Sequence, residues 1–159
     1  MARKVIVVTG SASGMGFATA TALANSGVHL ALWDINGSKL EEIAKSLKDQ
    51  YSGNTLAQTV DVSDRAAVNA ALIEAQHRLG AINAIANFAG TGGHQLGVES
   101  IWETGPEEFE FITNLNIRGL FSILGEALTP RFLGELQSVV HIASMFATRG
   151  YKNGGSFRC

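Results

Sequence analysis

The chain has 159 residues, of which 46% are hydrophobic, so it is long enough to form one domain, over residues 1–159, with a sizeable core. The formal net charge of −2 and the lack of a basic stripe argue against a nucleic-acid-binding surface. The single cysteine, Cys159, excludes a disulfide framework and a cysteine-based zinc site, so we expect a reducing, cytoplasmic setting.

No signal peptide or membrane-spanning segment is predicted. The amino-terminal residues lead directly into the first apolar run. The uncharged stretch over residues 79–98 is of membrane-spanning length but is interrupted by glycines and amide side chains, which a membrane helix would not carry in such numbers.

The first predicted element is a strand over residues 5–8, where four β-branched residues follow one another. Gly10, Gly14 and Gly16 come next, and then a helical pattern over residues 17–26 that Gly27 ends. A strand, a glycine turn and a helix together present backbone N–H groups and a positive dipole end to a phosphate. The sequence therefore predicts a nucleotide cradle. Its glycine spacing differs from Gly-x-Gly-x-x-Gly, and the Gly-Lys-Ser/Thr of a P-loop is absent.

Strands and helices alternate along the next part of the chain. A strand over residues 28–33 closes on Asp34, and the capping box 38–41 opens a helix. A third strand is expected over residues 55–60, followed by a helix that Ser63 caps and Gly80 ends. A fourth strand is predicted over residues 82–86.

The last part of the chain begins with a glycine-rich loop through Gly97. A second capping box, 104–107, carries Pro106 at an early helical position and starts one long helix towards Leu128. A fifth strand is expected over residues 138–142. Five strands that alternate with helices predict the α/β class: a Rossmann-like, doubly wound parallel sheet of order 3-2-1-4-5.

Polar residues that follow the strands are expected to meet in one crevice, because ligands of such sheets bind at the carboxyl ends of the strands. Asp34 lies 18 positions after Gly16 and can accept hydrogen bonds from both hydroxyls of an adenosine ribose. Its charge would repel a 2′-phosphate, so NAD is favoured over NADP. The four histidines lack ligand spacing, so no metal site is proposed, and His141, within a strand, is interpreted as structural rather than as a base.

These motifs together resemble the short-chain dehydrogenase/reductase family. The resemblance is carried by Thr9-Gly10-x-x-x-Gly14-x-Gly16, Asp61-Val62, Asn87-Phe88-Ala89-Gly90, Asn116 and Ser144. Phe88 departs from the family, which has a second asparagine there. The resemblance implies a place beside the adenine for Asp61 and Val62, a ribose contact for Asn87 and a backbone contact of Met15 with the pyrophosphate. It also implies catalytic roles for Asn116, which would organise a water of the proton relay, and for Ser144, which would bind the substrate oxygen.

The resemblance fails at the family's Tyr-x-x-x-Lys motif. The tyrosine is expected thirteen positions after Ser144, where this chain has Phe157, and the lysine would lie beyond Cys159. Neither Tyr51 nor Tyr151 is followed by a lysine four positions later. We therefore expect a C-terminally incomplete, cofactor-binding part of the family's fold that lacks the last strands and leaves the fifth strand as an open edge.

The resemblance implies an oxidoreductase that transfers a hydride between NAD(P)(H) and a small-molecule alcohol or ketone. Phenylalanine has no proton to donate, so activity is expected to be impaired or absent. One alternative is a non-catalytic remnant that binds NAD(H) or a partner chain, and another is a non-redox dehydratase or cyclase. Homo-oligomers are expected to form through the helix that starts near Thr104.

Overall fold

A five-stranded parallel sheet forms the centre of the molecule. The computed structural model describes residues 3–149 and 152–153. Its strand order is β3-β2-β1-β4-β5, which confirms the predicted topology. The strands are β1 (Val5–Thr9), β2 (His29–Asp34), β3 (Thr55–Thr59), β4 (Ile82–Asn87) and β5 (Ser138–His141).

Helices connect the strands and cover both faces of the sheet. They are α1 (Gly14–Asn25), α2 (Gly37–Gln50), α3 (Arg65–Leu79), α4 (Pro106–Thr113), α5 (Gly119–Ala127) and the short α6 (Pro130–Leu133). A π-helical turn, Asn114–Arg118, joins α4 to α5, and a 3₁₀ turn, Met145–Ala147, follows β5. Across the described residues, no helix is both long and apolar enough to cross a bilayer.

The core has two parts, one on each face of the sheet, because successive side chains of a strand point to opposite faces. Val7 of β1 packs into the cluster beneath α3 and α5, with Leu72 and Ile123. Its neighbour Val8 packs into the other cluster, which includes Ala20 of α1 and Leu40 of α2. Burial on both faces explains why the strands are runs of apolar residues rather than alternating patterns.

The helix caps differ from the predicted ones. Asn36, not Ser38, caps α2, since its side chain accepts a hydrogen bond from the Lys39 N–H. Asp64, not Ser63, caps α3. The capping box at Thr104 is also wrong: the cap of α4 is Gly105, which has no side chain to accept a bond, although Pro106 does stand in the first turn as expected. In each case the observed cap lies within two residues of the predicted one.

Replacing Asn36 by alanine should lower the free energy of unfolding by about 1 kcal/mol, because the first turn of α2 loses its acceptor. Ser38→Ala is the matched control. The Ser38 hydroxyl donates to Asn36 Oδ1 at 3.1 Å but accepts no N–H of the first turn. We therefore expect Ser38→Ala to lower the free energy of unfolding by less than about 0.5 kcal/mol. Urea unfolding midpoints at unchanged slope measure both values. An equal loss in the two variants would contradict the assignment of the cap.

The expected single long helix is interrupted. Residues 106–127 are helical, but the π turn at Asn114–Arg118 widens the helix in its middle. The side chain of Asn116 makes two hydrogen bonds there with the backbone of Thr91, which lies outside the helix. After Leu128 the chain turns, and Pro130 starts α6, since the residue before a proline is disfavoured in helical conformation.

Candidate cofactor site

A crevice of about 270 Å³ opens at the carboxyl ends of the strands. The glycine turn after β1, the end of β2 and the turn after β4 form its walls, and Val60, Val62 and Leu115 add apolar surface. The volume lies just below the usual range of roughly 300–1,000 Å³ for small-molecule sites, so the crevice would enclose part of a dinucleotide. The lining residues before β3 are Gly10, Ser13, Gly14, Met15, Gly16, Trp33, Asp34 and Ile35.

Glycine is required at two positions of the first turn. Gly10 has φ +63°, and a Cβ on it would lie 3.0 Å from the backbone of Phe88. At Gly16, a Cβ would overlap the carbonyl oxygen of Gly10. The amino end of α1 is therefore packed directly against the turn that follows β1, which positions both at the floor of the crevice.

The amino end of α1 suits an anionic ligand. Within the described chain, the cap Ser13 makes no side-chain bond to the helix, and the first turn of α1 carries no acidic residue. No carboxylate in the first turn of α1 therefore competes with a ligand for its first N–H groups and its positive dipole end. Gly14 faces open space, with no described heavy atom within 4 Å of a Cβ built there. The residues present thus fit a pyrophosphate.

Asp34 lies at the end of β2 and lines the same crevice. Its Oδ2 accepts a hydrogen bond from the Ala12 N–H at 2.9 Å, and Oδ1 accepts one from the Asn36 N–H at 3.0 Å. A carboxylate offers about four acceptor positions, so roughly two remain for a ligand. The carboxylate is thus held in place by the backbone and can still bind ribose hydroxyls.

Asp61 and Val62 are placed differently. Val62 lines the crevice, whereas Asp61 is exposed and its Oδ1 accepts from both the N–H and the hydroxyl of Ser63, at 2.9 and 2.7 Å. Asp61 is not one of the described residues that line the crevice. Its expected contact with an adenine stays a prediction.

Asn87 is buried beneath the crevice rather than in its lining, with 1% of its surface exposed. Its Oδ1 accepts from the hydroxyl of Thr9, which is itself fully buried. Thr9 Oγ1 also accepts hydrogen bonds from the N–H groups of Phe88 and Ala89, and these two residues line the crevice. The geometry makes Asn87 part of the support of the crevice wall, and its expected ribose contact is not tested.

The loop after β4 is held by side chains of the following helical segment, which the sequence did not reveal. Asn116 Oδ1 accepts from the Thr91 N–H and its Nδ2 donates to the Thr91 carbonyl, both at 2.8 Å. Glu108 accepts from the backbone and the side chain of His94. The hydrogen bond with the His94 side chain is the main reason that the pKa of Glu108 lies below its usual value. The amide of Asn116 is thus used to anchor the loop, and its expected role in a proton relay is untested.

Ser144 follows β5 and is half-buried at the start of the 3₁₀ turn, where its Oγ accepts from the Phe146 N–H at 3.2 Å. Phe157 lies outside the described residues. Among the residues that the structure does describe, His, Cys, Asp and Glu side chains form no group of three or more that could hold a metal ion.

Comparison with curated proteins finds relatives along nearly the whole chain. A short-chain dehydrogenase/reductase of Botryotinia fuckeliana is 32% identical over 154 residues, which cover 97% of this chain and 59% of the relative. The 2-(R)-hydroxypropyl-CoM dehydrogenase of Xanthobacter autotrophicus is 35% identical, over 92% of this chain and 60% of the relative. The chain thus spans about three fifths of the length of these curated relatives.

Solved structures show the same architecture. A short-chain dehydrogenase/reductase from Burkholderia phymatum in complex with NAD superposes with a TM-score of 0.89 at 26% identity, over 99% of this chain and 54% of that chain. The L-sorbose reductase of Gluconobacter frateurii, complexed with NADPH and L-sorbose, gives a TM-score of 0.85 at 26% identity, over 99% and 58%. The two complexes hold different nicotinamide cofactors, so they do not decide between NAD and NADP.

The short chain dehydrogenase family model matches residues 4–158. This match agrees with the sheet order and with the glycine turn, which were derived from the residues and the geometry. The chain therefore belongs to the short chain dehydrogenase family.

Proposed function

We propose that the crevice binds NAD(H), with the pyrophosphate at the amino end of α1 and the adenosine between Asp34 and Val62. The observation that carries the proposal is that an anion-accepting helix end and a fixed carboxylate line one crevice. The helix end favours the phosphates, and the carboxylate favours the two ribose hydroxyls. NAD(H) is preferred because Asp34 would repel a 2′-phosphate.

The reaction we propose is hydride transfer between the nicotinamide cofactor and an alcohol or ketone. The nicotinamide supplies the carbon that gives or takes the hydride. Ser144 would bind the oxygen of the substrate through its hydroxyl, which lies beyond the carboxyl end of β5. The names of the relatives, which include a levodione reductase of Leifsonia aquatica, support carbonyl and alcohol substrates as a class.

Replacing Asp34 by asparagine should reduce the preference for NADH over NADPH by about 10-fold, or about 1.4 kcal/mol, because the repulsive charge is lost. Fluorescence titration with both cofactors measures it. The ratio of the two dissociation constants is the relevant quantity, since any loosening of the turn around Ala12 affects both cofactors alike.

Asp49→Asn is the matched control, because Asp49 is exposed near the end of α2 and its substitution changes the charge by the same amount. The ratio of the NADH and NADPH dissociation constants of Asp49→Asn should equal that of the unaltered chain. An unchanged ratio in Asp34→Asn would remove Asp34 from the cofactor site, and a chain that binds neither cofactor would refute the proposed function.

Phe157 favours a second candidate, dinucleotide binding without turnover, because phenylalanine cannot act as the acid or base that the tyrosine provides. Oxidation of NADH in the presence of a panel of ketones separates the two candidates. Turnover by a chain that binds NADH supports the enzyme, and saturable binding without turnover supports the second candidate.

Self-association through the helical segment from α4 to α5 is a further part of the proposal. Ile117, Phe121 and Leu128 expose 51%, 64% and 48% of their surfaces along this segment. Exposed apolar side chains on neighbouring turns are typical of surfaces that pair. They support the expectation from the sequence that a second copy packs here.

A further inference from the structure

A chain of hydrogen bonds links the carboxyl ends of β1, β4 and β5. It runs from the hydroxyl of Thr9 to Asn87 Oδ1, at 2.5 Å, and from Asn87 Nδ2 to His141 Nδ1, at 2.9 Å. His141 pairs with Asn87 in the register of β4 and β5, so the sheet itself brings the two side chains together. His141 is exposed, whereas Thr9 and Asn87 are buried.

The orientation of the Asn87 amide is determined by the hydroxyl of Thr9. This oxygen has two lone pairs, and they accept the N–H groups of Phe88 and Ala89 at 3.1 and 2.9 Å. The hydroxyl can therefore only donate to Asn87, so the atom of Asn87 that faces Thr9 must be the amide oxygen. The amide nitrogen then faces His141.

An amide nitrogen is only a donor, so His141 Nδ1 must accept. The imidazole ring is thus neutral in this arrangement and carries its proton on Nε2. Protonation of Nδ1 would place two donors against each other and leave the buried Asn87 amide without its acceptor, which is costly for a buried group.

We propose that His141 is a positioning residue: its unprotonated Nδ1 holds the Asn87 amide, which through Thr9 fixes the backbone of Phe88 and Ala89 at the wall of the cofactor crevice. The effect on cofactor binding rests on the proposed function, since Phe88 and Ala89 are lining residues of that crevice. The hydrogen-bond arrangement itself does not depend on a cofactor.

Charged groups near His141 are few. Of the two strands concerned, β4 carries no titratable side chain and β5 carries none besides His141. None of the ion pairs among the described residues, within 4 Å, involves His141. Lys4 precedes β1 and Glu135 precedes β5, both at the amino ends of the strands and away from His141, where Lys4 Nζ donates to Gln137 Oε1. The Asn87 amide is therefore the polar group that governs Nδ1.

The first test needs no cofactor. Two-bond ¹H–¹⁵N correlation spectra of the full chain distinguish the imidazole tautomers, and His141→Phe assigns the signal. We expect His141 as the Nε2–H tautomer at neutral pH. The side-chain amide signal of Asn87 should shift on acidification, because a proton on Nδ1 would remove the acceptor of that amide. An Nδ1–H tautomer, or an Asn87 amide signal that ignores this titration, would overturn the proposal.

The second test compares NADH affinity at pH 7.5 and 5.5 in three chains. Asparagine at position 141 can offer an oxygen near the position of Nδ1 but does not titrate, so His141→Asn should bind NADH at both pH values. From pH 7.5 to pH 5.5, the NADH affinity of the unaltered chain should fall about 10-fold more than that of His141→Asn. At both pH values, His141→Phe should bind NADH about 10-fold more weakly than His141→Asn.

His77→Asn is the control, since His77 is exposed on α3 and should not change the profile. The other histidines are the same in the unaltered chain and in His141→Asn, so the difference between the pH profiles of these two chains isolates His141. Equal pH profiles of the unaltered chain and His141→Asn would overturn the positioning role. Failure of every chain to bind NADH while the spectra show the Nε2–H tautomer would refute the proposed function but not the contact.

Discussion

Gly16→Ala should abolish measurable NADH binding, with affinity lower by about 100-fold or more, and should lower the free energy of unfolding by about 3 kcal/mol. The new methyl group would overlap the carbonyl oxygen of Gly10, a backbone atom that no rotamer change can remove. Either α1 or the turn after β1 must move, and both form the floor of the crevice. Urea unfolding and NADH fluorescence titration measure the two effects.

Two other glycines are controls for this variant. Gly134→Ala should change neither quantity, since Gly134 has helical φ and no described atom lies within 4 Å of its Cβ position. Gly53→Ala should destabilise the chain, because its Cβ would overlap the carbonyl oxygen of Val28, but it lies before β3 at the amino edge of the sheet. Because Gly53 lies at the end of the sheet opposite the crevice, Gly53→Ala should still bind NADH below its unfolding temperature. Normal NADH affinity in Gly16→Ala would contradict the location of the cofactor site.

Thr9→Val should lower the free energy of unfolding by about 3 kcal/mol or more, and the melting temperature by about 6 to 12 °C. Valine has the shape of threonine, so packing is preserved while three hydrogen bonds are lost. The N–H groups of Phe88 and Ala89 lose their acceptor, and Asn87 Oδ1 loses its donor. Thr9 and Asn87 are almost completely buried, so water cannot easily replace the hydroxyl.

Thr21→Val is the control for Thr9→Val. The hydroxyl of Thr21 donates to the Phe17 carbonyl within α1, a local bond near solvent, and we expect a change within about 0.5 kcal/mol. Thermal unfolding of both variants in one buffer measures the difference. A loss below about 1 kcal/mol for Thr9→Val would show that the hydrogen-bond chain between β1 and β4 contributes little to stability.

Local patterns in the sequence determined the sheet order and the position of the crevice. Runs of β-branched residues such as Val5 to Val8 form strands buried on both faces, and the right-handed connections between them leave few possible orders. The cradle was also predictable, because a glycine turn between a strand and a helix is a local feature, and Asp34 comes directly at the end of a strand. Membership of the family followed from the same residues.

Only the tertiary structure decided what the polar side chains bind. Asn116 contacts Thr91, 25 positions earlier, and this contact accompanies the π turn that interrupts the expected long helix. Asn87 and His141 meet because β4 and β5 pair in one particular register, which places side chains 54 positions apart within 2.9 Å. The periodicity of a sequence reports which face of an element is buried, because burial depends on residue type. It does not report which polar atoms lie opposite one another, because that depends on register and on the packing of elements distant in the chain.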